Sequence, residues 1–173
     1  AAGASLVNDV SALSFDAKLS GIIANAGVPV CLMHARGDPM TMQDRPQYDD
    51  VLLDVYDHLQ DRIETALASG IARAKIVIDP GIGFGKTVAH NLALLRGLSL
   101  FHSLGCPIML GASRKRFIGT LGDAPEAGAR MPGSIAVALA GIAQGVQISR
   151  VHDIAQTRQA LVLWAAATGM RQQ

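Results

Sequence analysis

Charge of one sign is missing from this chain. Fifteen lysines and arginines face fourteen aspartates and glutamates, leaving a formal net charge of +1 over 173 residues. No long-range field therefore selects nucleic acid or an acidic membrane surface, and any anion binding must come from local clusters. Cysteine is scarce: Cys31 and Cys106 each sit near a proline at the start of a strand. They read as buried free thiols, consistent with a reducing cytoplasm. Long apolar runs are absent too. Gly, Gln or a charge interrupts each one, so no segment is expected to cross a membrane. No cationic-plus-apolar leader stands at the start. Low-complexity tracts and signs of a second domain are also missing. What remains is an Ala/Gly/Leu/Val-rich chain, 50% apolar, 17% charged and 4% aromatic. That composition suits one α/β domain with a sizeable core.

The order of signals is strand, helix, repeated five times. Ala1 to Ala4 resembles a helix tail with its terminal glycine, so the chain is expected to be the later part of a longer protein. Leu6-Val7 enters a strand ending in Asn8-Asp9. A helix is predicted over Phe15–Ala26 with Gly27 as its stop, then a strand over Pro29–Met33. A long polar loop follows, from His34 to Pro46. The apolar positions Val51, Leu52, Val55, Leu59, Ile63, Ala66 and Leu67 predict a helix over Tyr48–Ser69. Next come a strand ending in Asp79, a helix over His90–Leu104 and a strand over Pro107–Gly111. Ala112–Met131 reads as a long, Gly-rich, mobile loop. A helix from Pro132 to about Gln144, a strand over Val146–Val151 and a helix over Ile154–Thr168 complete the pattern. Alternation without hairpins means parallel strands with right-handed crossovers. The candidates are a doubly wound sheet and a (β/α)8 TIM barrel. A barrel needs about 250 residues, so five units would be the last part of one.

Each strand delivers polar groups where it stops. Ile76-Val77-Ile78 is a buried parallel strand by composition; it ends in Asp79, and Pro80-Gly81 then turns the chain. Gly81, Gly83 and Gly85 let the backbone approach a ligand closely. The other strand ends carry Asn8-Asp9, Met33-His34, Ser113-Arg114-Lys115 and Arg150-Val151-His152-Asp153. In a barrel these ends form one rim around a single pocket. Asn8 and Asp79 suit a ligand with several N–H donors and ring acceptors. Lys115, Arg150 and His152 supply positive charge for an anion such as phosphate. Gly85-Lys86-Thr87 imitates the end of a phosphate-binding P-loop, but the glycine required five residues before Gly85 is Pro80. No nucleophile elbow and no zinc-ligand spacing are present. His34 is expected to be a rim or packing residue, His102 a surface one and Trp164 core or interface. Arg36 and Arg45 could aid an anion site, and Met40 and Met42 have no evident task.

The segments Asn8-Asp9-Val10, Asp79-Pro-Gly-Ile-Gly-Phe-Gly-Lys86, Gly111-Ala-Ser-Arg-Lys-Arg-Phe-Ile-Gly119 and Arg150-Val-His-Asp153 together resemble the bacterial dihydropteroate synthase family. The resemblance covers essentially all 173 residues but only the C-terminal part of the family's length. It implies a TIM barrel, here as about its last five βα units in a single pterin-binding domain. It implies an activity joining 6-hydroxymethyl-7,8-dihydropterin diphosphate to p-aminobenzoate, with release of pyrophosphate: a step of folate synthesis and the target of sulfonamides. By motif match Asn8, Asp79, Lys115, Met33 and Gly111 would bind the pterin. Phe84, Ser113, Arg114 and Lys115 would shape the p-aminobenzoate pocket. Arg150 and His152 would hold the diphosphate, with Lys115, Arg150 and His152 as the catalytic set. Mg2+ would be the cofactor, with its ligands in the preceding part of the family's sequence and none in this chain. The partners implied are the two small-molecule substrates and a second copy in a cytoplasmic homodimer, without nucleic acid or membrane.

Two alternatives share the pocket. A pterin-binding methyltransferase domain would keep the Asn and Asp but has no use for the Ser-Arg-Lys loop or the Arg-Val-His anion site. A non-catalytic pterin-binding protein would bind pterin and release no pyrophosphate.

Overall fold

Among the described residues five short strands lie side by side, all parallel and in chain order. The computed structural model describes residues 3–37 and 46–169. The strands are β1 (Val7–Asp9), β2 (Val30–Met33), β3 (Ile76–Asp79), β4 (Met109–Leu110) and β5 (Ile148–Ser149). Val30 pairs with Val7 on one side and Ile76 on the other. A single bridge from Ile78 to Ile108 carries the sheet across to β4, which pairs with β5 through Met109–Ile148 and Leu110–Ser149. The helices are α1 (Leu19–Ala26), α2 (Val51–Ala68), α3 (Val88–Arg96), α4 (Arg116–Leu121), α5 (Met131–Ala143) and α6 (Ile154–Thr168).

Strand alternation divides the core. Val30, Leu32, Ile76, Ile78, Ile108 and Leu110 pack outward against Ile23 of α1, Leu59 of α2 and Leu94 of α3, with Val137 of α5 at the margin. Cys31, Val77 and Met109, with Ile148 beside them, form a separate cluster on the opposite face. A doubly wound sheet reverses its strand order and covers both faces with helices. Sequential order with helices on one face makes a singly wound arc instead. Each fully buried Leu or Ile of the outer layer contributes about 1.5–3 kcal/mol.

Local chemistry sets the helix limits. The Asp50 carboxylate accepts from the backbone N–H groups of Leu52 and Leu53, a cap that stabilises by about 1 kcal/mol. It starts α2 at Val51 rather than Tyr48. Gly27, left-handed at φ 63°, closes α1, but that helix begins four residues later than expected. The Asp9 carboxylate explains the delay. It accepts from Ser11 N–H, Ser11 Oγ–H and Leu13 N–H and holds Ala12 and Leu13 in the left-handed region. The helix expected to run to Leu104 breaks at Gly97, where a Cβ would stand 2.7 Å from Leu52 Cδ1, and continues as a 3-10 turn over Leu98–Leu104. The expectation of a loop over 112–131 is corrected: it holds α4 and a 3-10 turn over Ala127–Arg130, with Phe117 and Ile118 buried in the outer core. His102 is half-buried rather than a surface residue, and its Nε2–H donates to the Gln144 carbonyl oxygen at 2.8 Å. Trp164 is also half-buried. Met40, Met42 and Arg45 lie outside the described residues.

Candidate active site

The inner face of the arc is built in two layers. Cys31, Val77, Met109 and Ile148 form the lower, apolar one. Two residues further along each strand come Met33, Asp79, Gly111 and Arg150. Met33 and Asp79 are register partners. Arg150 N–H donates to Leu110 O, and a Cβ on Gly111 would stand 2.8 Å from Arg150 Nη2. The guanidinium therefore lies over a residue that must stay small. Asn8 is the register partner of Cys31 and shares the inner face at the arc's exposed edge. Cys31 and Cys106 are unbridged. Burial, reinforced by the Asp79 charge, pushes the Cys31 thiol up to about 12, so it is inert packing.

Asp79 is 2% exposed. Gly81 N–H donates to its Oδ1 at 2.7 Å. Burial raises its pKa above the ordinary carboxylate value, while the Gly81 N–H and the charges of Arg150, Lys86 and Lys115 pull it back. Burial thus disfavours its ionised form, which hydrogen bonds from a donor-rich ligand edge would favour.

The loop after Asp79 is clasped from behind. At Gly81, φ is +70° and a Cβ would fall 1.8 Å from His34 O, so the turn presses directly on the end of β2. Lys86, 3% exposed, reaches back under the loop. Its Nζ lies 2.8 Å from His34 Nδ1 and donates to Gly81 O and Phe84 O, each at 3.0 Å. Tyr48 Oη–H donates to Gly85 O at 2.8 Å, and Gly83 N–H to Asn91 Oδ1 at 2.7 Å. Burial lowers the Lys86 pKa to about 7, against the pull of Asp79. Burial and then the Lys86 charge lower His34 to about 2, so its imidazole is neutral and Nδ1 accepts.

On the open side of the loop, Lys115 Nζ stands 3.9 Å from the centroid of the Phe84 ring, a cation–π contact. Burial and the Arg150 charge lower its pKa. The stem of Lys115 crosses Gly83, where a Cβ would meet Cδ at 2.9 Å. Ser113 is buried, and its Oγ lies 2.9 Å from His152 Nδ1 and accepts from His152 N–H at 3.2 Å. Arg114, left-handed at φ 57°, forks onto Asp153 through Nε at 3.1 Å and Nη2 at 2.5 Å. The Ser-Arg-Lys run is therefore held in place by its own side-chain contacts. Arg150 and His152 are both exposed at the rim, one over Gly111 and the other beside Ser113. A cleft of about 490 Å³ opens behind the loop, between α3 and α4, lined by Lys86, Asn91, Lys115 and Phe117 among others.

Asp79, Lys115, Phe84, Gly111, Met33 and Arg150 thus share one neighbourhood. Ser113, Arg114 and His152 are brought together beside it, and Asn8 lies across the arc. Tyr48 and Asn91 were not singled out from sequence, and His34, expected as a rim or packing residue, is indeed buried at the end of β2. Lys86 offered only its place after Gly85, where it resembled a P-loop end. The partners that give it meaning are 52 residues away.

A parallel arc with a buried carboxylate and cations gathered at the C-terminal strand ends defines a class: a singly wound α/β domain whose polar groups stand where such folds place their binding sites. The family follows from comparison. The sequence profile of the family described as pterin binding enzyme matches residues 1–152, and the chain belongs to that family. It is 43% identical over 167 residues to the dihydropteroate synthase of Neisseria meningitidis serogroup B, covering 95% of this chain and 59% of that protein. A crystal structure of dihydropteroate synthase from Stenotrophomonas maltophilia, with active site-bound imidazole, superposes with a TM-score of 0.93 at 40% identity. That match covers 98% of this chain and 64% of the other. The Xanthomonas albilineans enzyme in complex with 7,8-dihydropteroate superposes with a TM-score of 0.89 at 40% identity, covering 96% and 60%. The chain thus spans about three fifths of the length of these relatives.

Proposed function

We propose that this chain is the pterin- and arylamine-binding part of a dihydropteroate synthase, comprising the last five βα units of an eight-stranded barrel as a single domain. The remaining units correspond to the length of the relatives that it does not span. The observation that carries the reading is the shared layer of Asp79, Gly111 and Arg150 with Lys115 beside it. It combines an acceptor for the N–H edge of a pterin, a flat floor and cations for a leaving anion. The 7,8-dihydropteroate held by the Xanthomonas enzyme is the product such a layer would release.

In this reading Asn8 and Asp79 hold the pterin ring over Met33 and Gly111. Asp79 accepts from the amino and ring N–H groups, and Lys115 lies between pterin and p-aminobenzoate. Phe84 walls the p-aminobenzoate pocket, with Ser113 and Arg114 shaping its far side. The C–O bond to diphosphate breaks, and its electron pair leaves with pyrophosphate. The aryl amine lone pair then forms the C–N bond, and the nitrogen loses a proton to solvent. Arg150 binds the departing oxygens in a fork. His152, its Nδ1 engaged by Ser113, has Nε2 to offer. No base–nucleophile pair is required; positioning and stabilisation of the growing anion do the chemistry.

The family resemblance implies magnesium. Among the described residues no group of three His, Cys, Asp or Glu stands together to hold a metal ion. These residues do not make a magnesium site, and no step above runs through one. A homodimer is part of the proposal, built on α5 and α6, which contact one another and leave Val162 and Leu163 exposed. So is a cytoplasmic location, supported by two unbridged cysteines. No helix among the described residues is long and apolar enough to cross a membrane.

The test uses the protein at full family length. Incubated with 6-hydroxymethyl-7,8-dihydropterin diphosphate and p-aminobenzoate, it is expected to release pyrophosphate and form dihydropteroate in equal amounts. Pterin binding without pyrophosphate release would reject the synthase in favour of a binding protein. Methyl transfer from a folate would select the methyltransferase instead.

A further inference from the structure

Among the described residues, Lys86 is the one buried cation that the mechanism above leaves unused. All three of its ammonium protons have acceptors: His34 Nδ1 at 2.8 Å, Gly81 O at 3.0 Å and Phe84 O at 3.0 Å, with His34 O further off at 3.5 Å. Two of these acceptors lie at opposite ends of the loop that follows Asp79. The third belongs to the end of β2, the strand paired with β3. Neutral His34 suits this arrangement, since its Nδ1 must accept. For stability alone the position would be better filled by an apolar side chain, because desolvating an ammonium is costly and a hydrophobic replacement is often neutral or favourable.

We propose that Lys86 is a positioning residue: its buried ammonium ties the Gly81–Phe84 loop to the end of β2, fixing the Asp79 carboxylate and the Phe84 ring where pterin and arylamine must meet. This rests on the synthase reading and deepens it. The residue acts through two groups. Gly81, whose carbonyl it holds, donates its own N–H to Asp79. Phe84, whose carbonyl it also holds, presents its ring to Lys115. Its charge also helps keep Asp79 ionised. Arg150 and His152, by contrast, are carried by the end of β5 and do not hang from this loop.

That separation supplies the test. In the family-length protein, calorimetry compares 6-hydroxymethylpterin with pyrophosphate for Lys86→Met and Lys86→Ala. The expected result is a pterin affinity at least tenfold weaker in both variants, with pyrophosphate affinity within twofold of the unaltered protein. Lys86 lines the cleft behind the loop, so a small amine can enter the space left in Lys86→Ala. Propylammonium is expected to restore most of the lost pterin affinity, and 1-propanol at the same concentration is not. Unchanged pterin affinity in Lys86→Met overturns the proposal. Equal losses for both ligands, equal rescue by propanol, or failure of both variants to fold would show a purely structural lysine and also overturn it. If the unaltered protein bound no pterin, the synthase reading itself would fall, and this inference with it.

Discussion

Replacing Gly81 with alanine separates two effects that glycine usually combines. A non-glycine residue in the left-handed region is strained by about 1–2 kcal/mol. Gly27, at φ +63° with nothing within 4 Å of a built Cβ, would suffer that strain alone. Gly81, at φ +70°, would add a collision: its Cβ falls 1.8 Å from His34 O, where real contacts begin near 3.0 Å, so loop or strand must retreat by about 1.2 Å. Overpacking of this kind adds about 1–3 kcal/mol. The retreat also moves Asp79, which takes a hydrogen bond from Gly81 N–H, and a displacement of about 1 Å at a reacting centre can reduce rate on the order of a hundredfold. Gly27→Ala is therefore expected to lower the melting temperature of the family-length protein by about 2–8 °C and leave pterin affinity unchanged. Gly81→Ala should melt lower still and lose at least tenfold in pterin affinity and turnover. Paired melting curves and calorimetry check both. If Gly81→Ala bound pterin like its parent and melted no lower than Gly27→Ala, the close approach of loop to β2 would be wrong.

Asp79→Asn keeps the Gly81 contact but removes a charged acceptor, so pterin affinity should fall by roughly 1.5–3 kcal/mol, about tenfold to a hundredfold. The Asp79 pKa is raised by burial, so its stabilising contribution is full below the unfolded carboxylate value and lost as pH rises through the folded one. The ligand-free Asp79→Asn variant should consequently be no less stable than the parent at pH 8, while parental pterin affinity falls as the pH drops through the raised value; a less stable variant or a flat parental profile counts against this. Arg150→Ala should weaken pyrophosphate and the diphosphate substrate far more than bare hydroxymethylpterin and slow turnover; parallel titrations showing equal losses in a folded protein would remove Arg150 from the anion site. Sedimentation of the family-length protein should show a dimer, and a monomer at every working concentration would dismiss the α5–α6 interface.

The fold was legible where patterning was strong and local. α6 runs from Ile154 to Thr168 as its periodicity and the terminal Gly169 indicate, and β3 ends at Asp79. Parallel pairing followed from alternation alone. What escaped notice depends on distant contacts. α4 is six residues long with a glycine inside it, too weak a pattern to stand out within a Gly-rich run, and packing of Phe117 decides it. The break at Gly97 needs Leu52, a residue on another helix. The strand ends named Asp79 and Arg150 as candidates, because α/β folds place their chemistry at the C-terminal ends of parallel strands. The contact between Lys86 and His34 was opaque, because it exists only once folding places one against the other, 52 residues apart.

The two-layer inner face has a consequence for folding fidelity. Ile78 and Asp79 are adjacent but look to opposite sides of β3. A slip of one residue against β2 would drive the carboxylate into the greasy seam beneath α2 and α3 and turn Ile78 towards the pocket. An ionised carboxylate has no partners there, and stranding it would be prohibitive by several kcal/mol. The same holds for Arg150, the residue that follows β5. Residues placed for a ligand would therefore also proofread the pairing of very short strands, which have few hydrogen bonds of their own to reject a mispaired sheet.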